Sequence, residues 1–232
     1  MKSRLVIILC MALAASPVLA GENLELKTQK DKVSYAIGLD MGNNMKKSEL
    51  EIDPDVLARA IKDILAGSKP LMTDQEAKET LIALQKDLQA KQIEKNKALG
   101  EKNKKEGDTF LAKNKKEKGV KTLPSGLQYK VIAEGKGKSP KASDTVTVNY
   151  AGTLINGTEF DSSYKRGQPA TFPVGGVIKG WTEALQLMKE GSKWQLFIPS
   201  DLAYGEKGTQ GGPIGPNAAL IFEVELVSIK EK

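Results

Sequence analysis

Around Pro124-Ser125-Gly126 the spacing of apolar residues changes from a repeat of about 3.6 to a repeat of about 2. Upstream, Val33, Ile37, Met41 and Met45 recur every four residues; downstream, Val146, Val148 and Tyr150 alternate with Thr145, Thr147 and Asn149. A helical stripe does not lie flat as a strand, and strict alternation does not gather on one face of a helix. The chain is therefore expected to be α+β, with its helices and strands segregated along the sequence. Its 232 residues allow one large or two small domains.

The helical half carries its own start and stop signals. Asn23 to Glu49 reads as a first helix, with Thr28 and Asp31 spaced as an N-cap pair. Gly38 and Gly42, four apart, would let another helix come close. Asp53-Pro54 opens a second helix with an acidic cap and a proline at the first helical position. Val56, Leu57, Ala60, Ile61, Ile64 and Leu65 form its apolar face, and Gly67 ends it. Thr73-Asp74-Gln75-Glu76 is a capping box for a third helix. Its stripe (Leu81, Leu84, Leu88) fades into a stretch with nine lysines and five acids between Glu94 and Gly119. Pairs such as Asp87 with Lys91 and Glu101 with Lys105 support continued helix. From Thr73 to Lys118 that helix would run roughly 70 Å at ~1.5 Å per residue. Gly100 and Gly107 each cost about 1 kcal/mol inside a helix and mark places to bend or fray. A disordered lysine-rich linker is the alternative. So few large apolar residues make a poor core, and the module is expected to pair with a second copy.

In the β-rich half, Leu127, Tyr129 and Val131 alternate with polar residues, and Asn156-Gly157 is a hairpin signal. Trp194, Leu196 and Ile198 make another strand; Leu220, Phe222, Val224 and Leu226 make the last, with Glu223 and Glu225 outward. One short helix, Trp181 to Met188, interrupts them. An antiparallel sheet wrapped on a single helix follows. Aromatics are only 5% of the chain, yet Tyr150, Phe160, Trp181, Tyr204 and Phe222 gather at its turns and strand ends. Spacing alone fits an aromatic-lined pocket and an ordinary core equally.

The first twenty residues read as an export signal: Lys2 and Arg4, an apolar run from Leu5 to Ala15, then Val18-Leu19-Ala20 at the cleavage site. The run is too short to span a bilayer. Without it the chain has 33 basic and 29 acidic residues, a net charge of +4. That charge, interleaved with acids, argues against a nucleic-acid partner. The only cysteine, Cys10, leaves with the signal, and the chain has no histidine. Histidine-based and cysteine-based catalysis are thereby excluded, as are metal sites built from those residues. Gly137-Lys138-Ser139 lacks the earlier glycine of a phosphate loop, because that position is Ile132.

Five ordered blocks carry a resemblance. They are Val148-Asn149-Tyr150-Ala151-Gly152, Gly157 to Ser163, Val177-Ile178-Lys179-Gly180-Trp181, Ala203-Tyr204-Gly205, and Leu220 to Leu226. Together they resemble the FKBP-type peptidyl-prolyl cis-trans isomerases. With the signal, the helical module and the long helix, the whole chain is similar to the Mip (macrophage infectivity potentiator) subgroup of Gram-negative bacteria. The resemblance implies a signal over 1–20, a homodimerising helical domain over 21–72, a connecting helix over 73–118 and an isomerase domain over 119–232. The last would be a five- to six-stranded antiparallel half-barrel around the short helix. Trp181 would floor a proline pocket walled by Tyr150, Phe160, Val177, Ile178, Ile214 and Phe222. Asp161 and Tyr204 would be its catalytic polar residues, with Arg166 joining the aspartate and a tyrosine in one network. Implied partners are proline-containing polypeptides, macrolide-type FKBP inhibitors and a second copy of the chain, in the periplasm, at the outer membrane or at the cell surface. Accessory chaperone and virulence roles are also implied, and a non-catalytic chaperone or adhesin using the same pocket is the competing reading. Three places depart from the family: Ala170 stands where an aromatic is common and should open that wall, the segment from Phe172 to Val177 is shorter, and the flap from Glu206 to Pro216 has Thr209-Gln210 where a histidine is common.

The chemistry fits the absences. Rotating an X-Pro amide means leaving planar resonance, against a barrier of about 18–20 kcal/mol. No bond is made or broken, so neither nucleophile nor cofactor is expected. The twisted amide has lost its charge separation, so a water-poor aromatic pocket favours it over the planar form.

Overall fold

The computed structural model describes residues 25–230. The expected signal, and the start of the expected first helix, lie outside the described residues. Two compact units divide near Asp74 and Gln75.

In the first unit, α1 (Gln29–Lys47) begins later than its apolar pattern suggested, because Thr28 takes extended backbone and caps it. The Thr28 side chain accepts from Asp31 N at 3.1 Å while the Asp31 carboxylate accepts from Thr28 N at 2.8 Å, closing a capping box. The helix ends where Glu49 enters left-handed backbone at φ 53°. In α2 (Pro54–Leu65), Asp53 accepts from Asp55 N and Val56 N at 2.9 and 3.2 Å, and Gly67 at φ +65° turns the chain away. Neither helix is well buried by its own unit. Nothing in α1 is buried, Ile37 and Ile64 are 56% and 66% exposed, and the one buried residue of α2 is Asp63, paired with Arg59 at 2.8 Å. An apolar groove of about 490 Å³ lies between the two helices, lined by Met41, Met45, Leu50, Ile52, Leu57 and Ile61 among others.

α3 (Asp74–Asn114) is one continuous helix of 41 residues. The helix runs unbroken through Gly100 and Gly107, and the alternative of a disordered linker does not hold. Both glycines are buried against the sheet domain, where a Cβ at Gly107 would come within 3.1 Å of the Ala219 Cβ. Their helix cost is offset by a close approach that larger residues would block. Further along, Phe110 meets Phe197 with ring centres 6.0 Å apart. At the helix end, buried Asn114 donates to Gln128 Oε1, and Gln128 Nε2 donates to Leu111 O, both at 2.9 Å. The helix stops four residues short of Lys118, and Gly119 at φ +86° turns the chain into the sheet.

Seven strands follow, all paired antiparallel: β1 (Val120–Thr122), β2 (Gln128–Ala133), β3 (Thr145–Leu154), β4 (Glu159–Ser162), β5 (Ala170–Pro173), β6 (Lys193–Ile198) and β7 (Leu220–Lys230). The order is β1-β2-β6-β7-β3-β4, with β5 also on β3. Seven exceed the expected five or six because β1 and β5, of 3 and 4 residues, are too short to show a period. Alternation works as read. Val146, Val148, Tyr150, Leu220, Phe222, Val224 and Leu226 are buried, and Glu223 and Glu225 are not. α4 (Lys179–Leu187) lies on the inner face and buries Trp181, Ala184 and Leu185. Gly180 makes that possible, since a Cβ there would sit 2.6 Å from Ile198 Cγ2. Fully burying a Leu, Ile or Val side chain contributes about 1.5–3 kcal/mol, so Leu127, Leu185, Leu196, Ile198 and Leu226 make this a true core.

Candidate active site

The open edge of that core is a cavity of about 630 Å³. Strand alternation brings Tyr150 from β3 and Phe222 from β7 to the inner face, next to Trp181 of α4. Phe160 and Asp161 enter from β4, Phe172 from β5, and Val177 and Ile178 from the turn before α4. The loop after β6 adds Tyr204, Thr209, Gly212, Pro213 and Ile214.

The rings meet edge to face. Trp181, only 4% exposed, has its centre 5.2 Å from those of Tyr150 and Phe222, at 89° and 80°, and 6.0 Å from Phe172 at 89°. Phe160 meets Phe222 at 5.5 Å and 84°. Such pairs contribute about 0.5–1.5 kcal/mol each beyond burial, so the walls are mutually braced around the indole. Gly152 leaves room for them: a Cβ there would fall 2.6 Å from Phe222 and 2.7 Å from Phe160. Among the described residues the indole N–H of Trp181 is buried without a protein acceptor.

One polar cluster faces these rings. Tyr150 Oη donates to Asp161 Oδ2 at 2.5 Å, Arg166 Nη2 donates to Tyr150 Oη at 2.7 Å, and Arg166 Nη1 donates to Asp161 Oδ1. Arg166 also lies over the Tyr150 ring, 5.4 Å from its centre. Burial works against the Asp161 charge, but hydrogen bonds from Tyr150 and Arg166 outweigh it and hold the carboxyl below the usual range. Burial, then the bond to Asp161, pushes Tyr150 up. The bond to Asp161 raises Arg166 further. Asp161 is therefore a fixed anion at neutral pH. Among the described residues, the Tyr204 hydroxyl and the Ile178 N–H have no protein hydrogen-bond partner.

Nine of the ten expected site residues line the cavity; Arg166 does not. It stands behind Asp161, and the tyrosine it joins is Tyr150, whereas Tyr204 stands apart, 40% exposed. Ala170 packs against the core cluster outside the cavity, and Phe172, two residues on and so on the same face of β5, supplies the ring. No sequence signal announced Phe172, since β5 has 4 residues and is too short to show a period. In the flap, Thr209 N–H donates to Ile214 O at 2.9 Å and Ile214 N–H donates to Thr209 Oγ1 at 3.2 Å, so a hydroxyl ties the tip together.

Residues 136–227 match the family described as "FKBP-type peptidyl-prolyl cis-trans isomerase", and residues 30–131 match "Domain amino terminal to FKBP-type peptidyl-prolyl isomerase". The chain belongs to the FKBP-type peptidyl-prolyl cis-trans isomerases. It is 51% identical over 232 residues to an "Outer membrane protein MIP" of Legionella longbeachae, covering 100% of this chain and 99% of that one. It is 50% identical over 207 residues to a "Peptidyl-prolyl cis-trans isomerase Mip" of Coxiella burnetii, covering 89% and 90%. The crystal structure of FkpA from Escherichia coli matches with a TM-score of 0.68 at 42% identity, over 89% of this chain and 99% of that one. This FKBP is thus a prolyl isomerase of the Mip and FkpA kind.

Proposed function

We propose that the isomerase acts in the aromatic cavity, with the substrate proline against the Trp181 indole and Tyr150, Phe160, Phe172, Val177, Ile178, Ile214 and Phe222 around it. The observation that carries this reading is the set of edge-to-face rings about one buried tryptophan, beside a single anchored anion. A pocket so poor in polar partners destabilises the planar, charge-separated amide more than the twisted one. The Tyr204 hydroxyl and the Ile178 N–H, both without protein partners, are placed to bond substrate carbonyls. Asp161 acts by its field and by orienting Tyr150, with no proton transferred. Arg166 is a positioning residue that keeps Asp161 ionised and in place.

The wider arrangement follows. A signal over 1–20 exports the protein to the Gram-negative envelope, in keeping with relatives named for the outer membrane; among the described residues no helix is long and apolar enough to cross a membrane. Residues 21–72 dimerise through their apolar faces, 73–118 connect the two domains through α3, which spans Asp74–Asn114, and 119–232 form the isomerase domain. Two cavities in one dimer would hold a proline-bearing chain at two points, which supports an accessory chaperone role by avidity. Macrolide-type FKBP inhibitors suit the same apolar cavity.

The test is isomerisation of proline peptides by wild type, Asp161→Leu and Tyr204→Ala. Each variant is expected to lose roughly five- to tenfold in kcat/KM, the worth of one or two hydrogen bonds. Full activity in both variants would overturn the assignment.

A further inference from the structure

The two glycines of α3 stand on one helical face with a polar residue between them: Gly100, Asn103 and Gly107 at positions i, i+3 and i+7. That face seats the base of the loop from Gly205 to Asn217, which holds the flap. Asn103 Nδ2 donates to Pro216 O at 2.8 Å, and Asn217 Nδ2 donates to Gly100 O at 3.3 Å. A Cβ at Gly100 would sit 3.2 Å from both Asn217 and Pro216, so the glycine sets how closely the helix and loop meet. A Cβ at Gly215 would lie 3.1 Å from Asn103 and 3.2 Å from Leu99, so that glycine lies close to both helix side chains. Asn217 itself holds left-handed backbone at φ 54°, which asparagine tolerates better than most residues. Its N–H donates to Gly205 O at 2.8 Å and so closes the loop at its two ends. The closed loop is thus tied to α3 at its base, while Thr209, Gly212, Pro213 and Ile214 at its far end line the cavity.

We propose that Asn103 is a positioning residue of the isomerase site, holding the flap at the height that shapes the cavity wall and so helping to set which peptides bind. The connecting helix then contributes to specificity as well as to reach. The proposal rests on the cavity being the substrate site. It also accounts for two glycines and an asparagine in a helix that its own propensities do not favour.

The experiment uses the full mature chain with Asn103→Ala and Asn103→Asp. The aspartate keeps the size but cannot donate to Pro216 O, and it sets a negative charge against that carbonyl. Exchange of the Thr209 and Ile214 amides is expected to quicken by about fivefold in Asn103→Ala, the worth of one hydrogen bond, and by more in Asn103→Asp. KM for X-Pro peptides should rise by a similar factor with kcat retained. Unchanged exchange and unchanged KM in Asn103→Asp would overturn the proposal. So would kcat and KM shifts that merely follow a fall in Tm. If flap exchange quickens while wild type shows no isomerase activity at all, the anchor stands and the reading of the cavity falls.

Discussion

Gly152→Ala tests the cavity walls without touching a polar group. The new methyl would lie 2.6 Å from Phe222 Cε1 and 2.7 Å from two atoms of Phe160. Carbon atoms pack best at about 3.5–4.0 Å, so each ring must retreat by roughly 1 Å. Neither ring has free space to take: Phe222 is braced on Trp181 at 5.2 Å and Phe160 on Phe222 at 5.5 Å. The displacement therefore passes into the cavity. Overpacking of this kind costs about 1–3 kcal/mol, and each kcal/mol lowers Tm by about 2–4 °C in a chain of this size. Misplacing reacting groups by about 1 Å can cost up to ~10²-fold, so at least a tenfold loss of kcat/KM is expected well below Tm. Gly157→Ala is the matched control. At φ +86° it strains the hairpin by about 1–2 kcal/mol, but nothing lies within 4 Å of its Cβ. It should lower Tm comparably and leave kcat/KM of the folded protein alone. Peptide isomerisation and thermal melting of both variants decide the matter. Full activity in Gly152→Ala, or equal losses in both variants, would refute the argument.

Asp161 is held below the ordinary carboxylate value of ~3.9 and Tyr150 above the ordinary ~10. The depressed aspartate favours the folded state above its unfolded value, and that contribution is lost as pH falls through the lower folded value. kcat/KM should accordingly be level from about pH 5 to about pH 9, and a bell centred near neutrality would contradict a mechanism without proton transfer. Gln128→Leu would strip both hydrogen bonds at the end of α3 and leave the buried Asn114 amide unpaired; each orphaned group costs about 1–3 kcal/mol, so Tm should fall and exchange near Leu111 should quicken. Deleting residues 21–72 should give a monomer by sedimentation that keeps its activity on short peptides, and a surviving dimer would contradict the assignment of the apolar α1 and α2 faces.

Much of this protein was legible because its signals are local. The capping box at Thr28, the Asp53-Pro54 start and the alternation through Val146-Tyr150 and Leu220-Leu226 depend on residues a few positions apart, and each appears where the pattern put it. The ordered aromatic blocks named the family because they preserve a spacing as well as a composition. The absence of histidine, and of cysteine beyond Cys10, narrowed the chemistry before any fold was known. What could not be read was set by partners distant in sequence. Gly100 and Gly107 looked like weak points until Pro216, Asn217 and Ala219 were seen against them, more than 100 residues along the chain. Phe172 was not anticipated in the cavity wall because it comes from a strand of 4 residues, too short to announce its face. Arg166 had the right spacing for the Asp161 network, but only the fold put it behind the aspartate and made Tyr150 its third member. Local backbone preference depends on neighbours in sequence; close approach and wall geometry depend on which surfaces the sheet and α3 bring together, and those exist only once the chain has folded.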